Sequence, residues 1–262
     1  MSGIHPTAIV ASGARLAADV EIGPYCTVGP HVQLGAGTRL VSHVVLDGHT
    51  TLGAGCTVFP FASIGTQTQD LKYQGETTFV EIGDRTTLRE YVTVNSGTTA
   101  AELTRVGADC HIMAYCHVAH GSQVGNGVIM ANGASLSGHI VVEDLANIGG
   151  MTGIHQFVHI GRLCMIGGMS RIVKDCPPFM LVEGNPAEVR GVNAVGLQRR
   201  NFSAEAQTAI REAYRILYRE QLSTRQAVER IRAELKPCPE LESLLAFIAA
   251  SERGIMKQAG PR

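Results

Sequence analysis

Residues 106–142 read VGADCHIMAYCHVAHGSQVGNGVIMANGASLSGHIVV, and every sixth residue of this stretch is apolar. The same register runs from Ile4 to Ile172, where Ile, Leu, Val or Met occupies every position except Asp70, Glu76 and Ala100. A short strand with a corner has too little apolar surface to form a core alone, so the hexads must stack. The sequence therefore predicts a solenoid of short strands.

The positions four residues after these apolar residues are mostly small or β-branched. Six of the seven cysteines lie there, and the chain contains no CxxC pair. Because a free cysteine packs as a small apolar residue, we interpret the six as buried, reduced core residues. Their spacing does not favour a zinc ribbon or a redox motif.

Two stretches interrupt the register, residues 66–79 and residues 99–105. Both place polar residues where the hexads require apolar ones. We therefore predict two loops that project from the solenoid.

The hexad register ends near Pro177, and an apolar period of 3.6 replaces it further on. Ser203 is a predicted helix N-cap, Ser223 fits a capping box, and a third helix is predicted after Pro239. These signals divide the chain into a solenoid of residues 1–190 and an α-helical domain of residues 191–262.

The chain has 262 residues, with 22 basic and 23 acidic side chains. A net charge of −1 gives no support for bulk attraction to nucleic acid or to an anionic membrane. Neither a secretory signal nor a run of about 18 apolar residues is present. We predict a soluble, cytoplasmic protein without a transmembrane segment, whose basic C-terminal part suits an acidic partner.

Three histidines lie close together in the sequence, at His117, His120 and His139. Three imidazoles are one way to bind a metal ion. A general base is the alternative, because imidazole titrates near neutral pH. The residues alone leave both possibilities open.

Six segments carry recognisable motifs in a fixed order: Thr68-Gln69-Asp70-Leu71-Lys72-Tyr73, His117-Val118-Ala119-His120, Gly138-His139, Gly149 through Phe157, Gly184-Asn185-Pro186, and Gly191 through Arg200. In order and in approximate spacing they resemble the UDP-N-acetylglucosamine O-acyltransferases, a family of hexapeptide-repeat enzymes. The resemblance covers essentially the whole chain and implies a mainly β fold, a left-handed parallel β-helix followed by a small α-helical C-terminal domain.

The resemblance also implies an activity. An R-3-hydroxyacyl group would pass from acyl carrier protein to the 3-position of UDP-N-acetylglucosamine, the first step of lipid A biosynthesis, without a cofactor or a metal. The active sites would lie between the subunits of a homotrimer.

The family roles transfer residue by residue. His120 matches the general base, and the backbone N–H of Gly138 matches the oxyanion donor, an arrangement worth a few kcal/mol. Gly168 matches the acyl-chain ruler, and an open channel there favours a chain of about 14 carbons. Residues expected to hold substrate are Asp70, Lys72, His117, His139 and Gln156, and those expected to meet the nucleotide phosphates and the carrier protein are Asn193, Arg199 and Arg200.

Each triangular coil in this family has three hexads, so residues 18 apart stack on one edge. His120, Gly138 and Gln156 have this spacing. They are therefore expected in successive coils, along one groove.

Two departures from the family leave questions open. Gly121 occupies the position of the usual acidic residue after the base, so another group must orient His120. Asn95-Ser96 replaces a His-Arg pair before Gly97-Thr98, which keeps a 3-amino acceptor possible beside the 3-hydroxyl. A related N-acyltransferase, a metallo-hydratase of this fold and a non-catalytic scaffold are the competing interpretations.

Overall fold

The computed structural model describes residues 3–257 as a long array of short strands followed by four helices. Most strands contain two residues, of which the first points outward and the second is buried, as in Thr27 and Val28. The strands as far as the second loop are β1 (Gly3–Ile4), β2 (Ile9–Val10), β3 (Arg15–Leu16), β4 (Glu21–Ile22), β5 (Thr27–Val28), β6 (Gln33–Leu34), β7 (Arg39–Leu40), β8 (Val45–Leu46), β9 (His49–Leu52), β10 (Thr57–Val58), β11 (Ser63–Thr66), β12 (Phe79–Ile82), β13 (Thr87–Leu88) and β14 (Thr93–Asn95).

The strands after the second loop continue the same pattern as far as a final hairpin. They are β15 (Leu103–Val106), β16 (His111–Ile112), β17 (His117–Val118), β18 (Gln123–Val124), β19 (Ile129–Met130), β20 (Ser135–Leu136), β21 (Val141–Val142), β22 (Asn147–Ile148), β23 (Gly153–Ile154), β24 (His159–Ile160), β25 (Met165–Ile166), β26 (Arg171–Ile172), β27 (Met180–Gly184) and β28 (Ala187–Val192).

Every third strand joins the same sheet, so the chain winds around a triangular prism. The first sheet runs from β1 and β4 to β25, β27 and β28, the second from β2 to β26, and the third from β3 to β24. All pairings are parallel except that of β27 with β28. Within the second sheet Val118 aligns with Leu136 and Leu136 with Ile154, which confirms the 18-residue coil.

The prism is filled by the second residue of each strand and by the small residues at the corners. Six cysteines are buried with free thiols, as the sequence predicts: Cys26, Cys56, Cys110, Cys116, Cys164 and Cys176. Burial raises the pKa of the Cys116 thiol to about 11. These side chains are therefore unreactive packing residues in the folded protein.

Both loops leave the prism at the same corner, between the second and third sheets. The first loop comprises residues 67–78 and the second residues 96–102, because strands resume at Phe79 and Leu103. The second loop thus lies earlier than the predicted 99–105. Leu103–Val106 alternates between outward and buried residues, with Thr104 and Val106 inside, so it forms a strand despite its polar residues.

The C-terminal part is helical, with α1 (Ala194–Arg199), α2 (Ala204–Arg219), α3 (Thr224–Glu234) and α4 (Pro239–Ala250). The Ser203 side chain accepts a hydrogen bond from the Ala206 N–H, and Ser223 forms a capping box, so both predicted caps are confirmed. Within residues 3–257, no helix combines the length and the apolar character that a membrane span requires.

Candidate active site

Three edges run along the prism where neighbouring sheets meet. The histidine edge joins the second and third sheets and carries His120, Gly138, His139 and Phe157, together with the two loops. The aromatic edge joins the first and second sheets. It carries Tyr25, His43, Phe61, Tyr91, Tyr115, Met151 and Met169.

His120 is held between the first loop and the neighbouring coil. Its Nδ1 lies 3.2 Å from Thr68 Oγ1, and its Nε2 lies 3.6 Å from Asp70 Oδ2. The Asp70 N–H donates to Thr68 Oγ1, and Thr98 Oγ1 lies 3.4 Å from the same oxygen. Thr68 can therefore accept the Nδ1–H while its own hydroxyl points to Thr98, which leaves Nε2 as the basic nitrogen.

Burial is the main cause of a lowered pKa for His120, whose side chain is 14% exposed. The charge of His139 lowers the pKa further, Asp70 and Glu102 raise it, and Lys72 lowers it. The imidazole consequently stays neutral to a pH below its ordinary titration range. A neutral imidazole with one free nitrogen is a competent general base.

Gly138 lies under the reactive side of His120. A Cβ built at this position would overlap His120 Nε2, so only a glycine lets the imidazole approach the backbone. Gly138 is buried, and its N–H donates to no acceptor among residues 3–257. The site thus combines a basic nitrogen with an available hydrogen-bond donor.

His139 forms the far wall of the site. Its ring stacks in parallel on Phe157 with centroids 4.9 Å apart, and it meets His120 edge to face at 5.0 Å. Its Nδ1 lies 3.2 Å from Glu102 Oε1, in the second loop. Phe157 therefore fixes one face of the His139 ring, and Glu102 fixes its Nδ1.

The remaining predicted residues of this edge surround the same site. His117 Nδ1 lies 2.7 Å from Thr93 Oγ1, and burial, followed by the nearby charge of His120, lowers its pKa. Lys72 is exposed on the first loop, and its N–H donates to Asp70 Oδ1. Gln156 lies exposed one coil beyond Gly138, as the 18-residue spacing predicts.

Four predicted residues lie away from the histidine edge. Gly168 belongs to the aromatic edge, beside the exposed Met169. Asn193, Arg199 and Arg200 line a groove of about 700 Å³ over the first sheet, the face opposite the histidine edge. Asn193 also caps α1 and donates to the Leu163 carbonyl. A single chain therefore does not bring these four residues to His120.

Sequence reasoning missed two loop residues that contact the predicted histidines. Thr68 belongs to the motif of residues 68–73, and its hydroxyl is the feature that could have marked it as a partner of His120. Glu102 lies in the second loop, where no motif marks it. Both contacts join segments far apart in the sequence, so neither follows from hexad spacing.

Asn95 and Ser96, which differ from the family pattern, anchor the start of the first loop. The Asn95 Nδ2 donates to the Gln67 carbonyl at 3.2 Å, and the Ser96 N–H donates to the Thr66 carbonyl at 3.0 Å. Both side chains are buried. Within residues 3–257, no three His, Cys, Asp or Glu side chains converge as metal ligands would.

Two family descriptions match the chain. Residues 103–138 match the bacterial transferase hexapeptide (six repeats), and residues 175–256 match domain 2 of the UDP N-acetylglucosamine O-acyltransferase. The first match lies within the array of strands, and the second covers β27, β28 and the four helices.

Proteins named as UDP-N-acetylglucosamine O-acyltransferases match this chain over nearly its whole length. An acyl-[acyl-carrier-protein]–UDP-N-acetylglucosamine O-acyltransferase from Thermodesulfovibrio yellowstonii is 47% identical over 98% of this chain and 100% of that protein. One from Verminephrobacter eiseniae is 49% identical, with the same coverage. The structure of LpxA, a UDP-N-acetylglucosamine acyltransferase from Bacteroides fragilis, is 39% identical with a TM-score of 0.94, and the match covers 97% of this chain and 99% of that chain.

These matches confirm the left-handed parallel β-helix with a helical C-terminal part, and they confirm that the protein is an acyltransferase. The chain belongs to the UDP-N-acetylglucosamine O-acyltransferase family.

Proposed function

We propose that the protein transfers an R-3-hydroxyacyl group from acyl carrier protein to the 3-position of UDP-N-acetylglucosamine, the first step of lipid A biosynthesis, with His120 as the general base. One observation carries the proposal: His120 Nε2 lies against the backbone of Gly138, where a Cβ would meet it at 2.2 Å, and the Gly138 N–H donates to no acceptor among residues 3–257. An acyl transfer requires both groups at one carbonyl.

The reaction uses only the substrates and these residues. His120 Nε2 removes the proton of the acceptor 3-hydroxyl, and the oxygen attacks the carbonyl carbon of the acyl thioester. The Gly138 N–H donates to the oxyanion of the tetrahedral intermediate. Collapse then breaks the carbon–sulfur bond, and the protonated His120 returns the proton to the thiolate of the carrier.

Thr68 orients the base in this scheme. Its oxygen holds the Nδ1–H of His120, which keeps the free electron pair on Nε2. Asp70, Lys72, His117, His139 and Gln156 then hold acceptor or acyl groups along the histidine edge, where Lys72 supplies an exposed positive charge for a phosphate.

We infer that the active sites form between subunits of a homotrimer. The opposite placement of His120 and of the groove with Arg199 and Arg200 supports this arrangement. In a closed ring of three copies, the histidine edge of one subunit faces the first sheet of the next. Gly168 of a neighbouring copy then limits the acyl channel, and Asn193, Arg199 and Arg200 meet the nucleotide phosphates and the carrier protein.

The cytoplasm is the proposed location. Six buried cysteines with free thiols are compatible with a reducing compartment.

Mass spectrometry of the product tests the proposed reaction. The purified protein is incubated with UDP-N-acetylglucosamine or its 3-amino analogue, and with carriers that bear longer or shorter 3-hydroxyacyl groups. We expect an ester on the 3-hydroxyl and preference for about 14 carbons, because Gly168 leaves the channel open. If only the amino analogue reacts and an amide forms, the proposed acceptor is wrong and the 3-amino sugar takes its place. If neither acceptor reacts, the proposed reaction is refuted.

Subunit mixing tests the shared site. Arg200→Ala and His120→Ala variants are each expected to lose activity. A random 1:1 mixture of the two variants should recover about a quarter of the wild-type sites, because one subunit supplies His120 and its neighbour Arg200. Refolding either variant with itself is the control, and a mixture without recovery contradicts a shared site.

A further inference from the structure

We propose that Glu102 is a positioning residue of this active site, a carboxylate that enters the histidine edge from the second loop and holds His139. The inference rests on the proposed function, because it assigns His139 to the wall of the acyl-transfer site. It concerns a residue that neither the repeat nor any quoted motif identifies.

The Glu102 carboxylate is fixed through both oxygens. Oε1 lies 3.2 Å from His139 Nδ1. Oε2 accepts hydrogen bonds from the backbone N–H groups of Thr98 and Thr99. Its side chain is 13% exposed, so the loop backbone and His139 replace most of its solvent. A carboxylate held in this way fixes a proton on the nitrogen that faces it.

Gly121 makes room for this contact. A Cβ at position 121 would lie 2.6 Å from Glu102 Oε1 and 2.5 Å from His139 Nδ1, closer than real side chains approach. The Gly121 N–H donates to Thr104 Oγ1 at 2.9 Å, which holds the backbone in place. Its φ of +65° also favours glycine. The missing side chain at Gly121 therefore leaves a space beside the base, and the Glu102 carboxylate from the second loop occupies it.

Glu102 leaves His139 with little freedom. The carboxylate fixes Nδ1, the Phe157 ring covers one face, and the ring edge meets His120. In the neutral tautomer that carries the proton on Nδ1, His139 presents Nε2 as a hydrogen-bond acceptor. A substrate hydroxyl or amide N–H is the group that such an acceptor recognises.

Glu102 also acts on the base through its charge. It raises the pKa of His120, against the larger effect of burial. The other charged or titratable groups near His120 are His117 in the preceding strand, Asp70 and Lys72 on the first loop, and His139 on the next coil. An uncharged loop residue at this position would have no such effect on proton binding.

The test compares kcat/KM as a function of pH for Glu102→Gln and Glu102→Asp. Glu102→Gln removes the charge and keeps the shape, so kcat/KM falls about tenfold. Its acid limb moves to lower pH, because the lost charge no longer raises the pKa of His120. Glu102→Asp retains the charge and should keep the acid limb of the wild type. Gly121→Ala disturbs the same contact from the other side and should lose activity with the loop sequence intact.

Glu143→Gln is the matched control. Glu143 Oε1 lies 2.9 Å from His159 Nε2, and Oε2 accepts a hydrogen bond from the Arg162 N–H, the same combination on another part of the prism. This variant should keep the wild-type rate and pH profile.

An unshifted acid limb in Glu102→Gln, or the same change in Glu143→Gln, would overturn the inference. His120→Ala separates this result from the proposed function. If wild type and His120→Ala turn over equally, the proposed base is wrong; if only the Glu102 comparison fails, the base stands and the positioning residue does not.

Discussion

The histidine edge and the aromatic edge are built from the same kind of hexad. They differ because the two loops project from the histidine edge. On the aromatic edge, rings pack against one another from coil to coil, tilted or stacked, with centroids 4.9 to 5.0 Å apart, from Tyr25 through His43, Phe61 and Tyr91 to Tyr115. Both edges place side chains at left-handed backbone angles, with φ of 52° at His43 and 57° at His139. A corner imidazole is therefore common to both edges.

The two loops create the chemical difference. They bring the Thr68 hydroxyl and the Glu102 carboxylate to the nitrogens of His120 and His139. His43 instead lies between the rings of Tyr25 and Phe61. The solenoid thus supplies positions at regular spacing, and the interruptions of the repeat supply the reactivity.

The largest effect is expected for the base. His120→Ala should lower kcat/KM about 10³-fold, because no other group removes the acceptor proton. His43→Ala changes the same residue type at a similar corner and should leave the rate unchanged. Steady-state kinetics of the two purified variants make the comparison, and equal losses would show that position on the prism does not matter.

Gly138→Ala should lower kcat about 10²-fold. The added Cβ overlaps His120 Nε2, so the base moves away from the oxyanion donor. Gly3→Ala, where nothing lies within 4 Å of the new Cβ, is the control. Retained turnover in Gly138→Ala would contradict a close approach of imidazole and backbone.

Thr68→Val should lower kcat/KM about tenfold, because the Nδ1 of His120 loses its hydroxyl partner. Thr68→Ser keeps the oxygen and should recover most of the rate. The pair is measured at one pH with circular dichroism as a check on folding. A serine variant as slow as the valine variant would assign Thr68 to packing alone.

The smallest effects concern the pH dependence. Asp70 raises the pKa of His120 and Lys72 lowers it. Asp70→Asn should therefore move the acid limb of kcat/KM to lower pH, and Lys72→Gln should move it to higher pH, each by less than about one unit. Shifts in the same direction for both variants would show that His120 is not the titrating group.

Much of the fold follows from the sequence. The hexad register predicts the stacked short strands and the buried thiols, and the 18-residue coil implied by the family resemblance predicts the stacking of His120 on Gly138, because each depends on a fixed period. The caps at Ser203 and Ser223 follow from local residue types. Local periodicity is sufficient to predict a contact wherever that contact lies between neighbouring coils.

The site is less predictable because its contacts cross the repeat. Thr68 and His120 are 52 residues apart and meet only where an irregular loop folds back. Gly168 is the opposite case, because the regular spacing itself keeps it away from His120. Its separation from His120 is not a whole number of 18-residue coils, so it falls on another edge of the prism.

The buried cysteines have a consequence for following how the prism comes apart. They are distributed from Cys26 to Cys176, and burial raises the pKa of both of these thiols. An alkylating reagent should reach each thiol only when its own coil opens. Peptide mapping after brief labelling would then show at which end a stacked array starts to unravel, without any added probe.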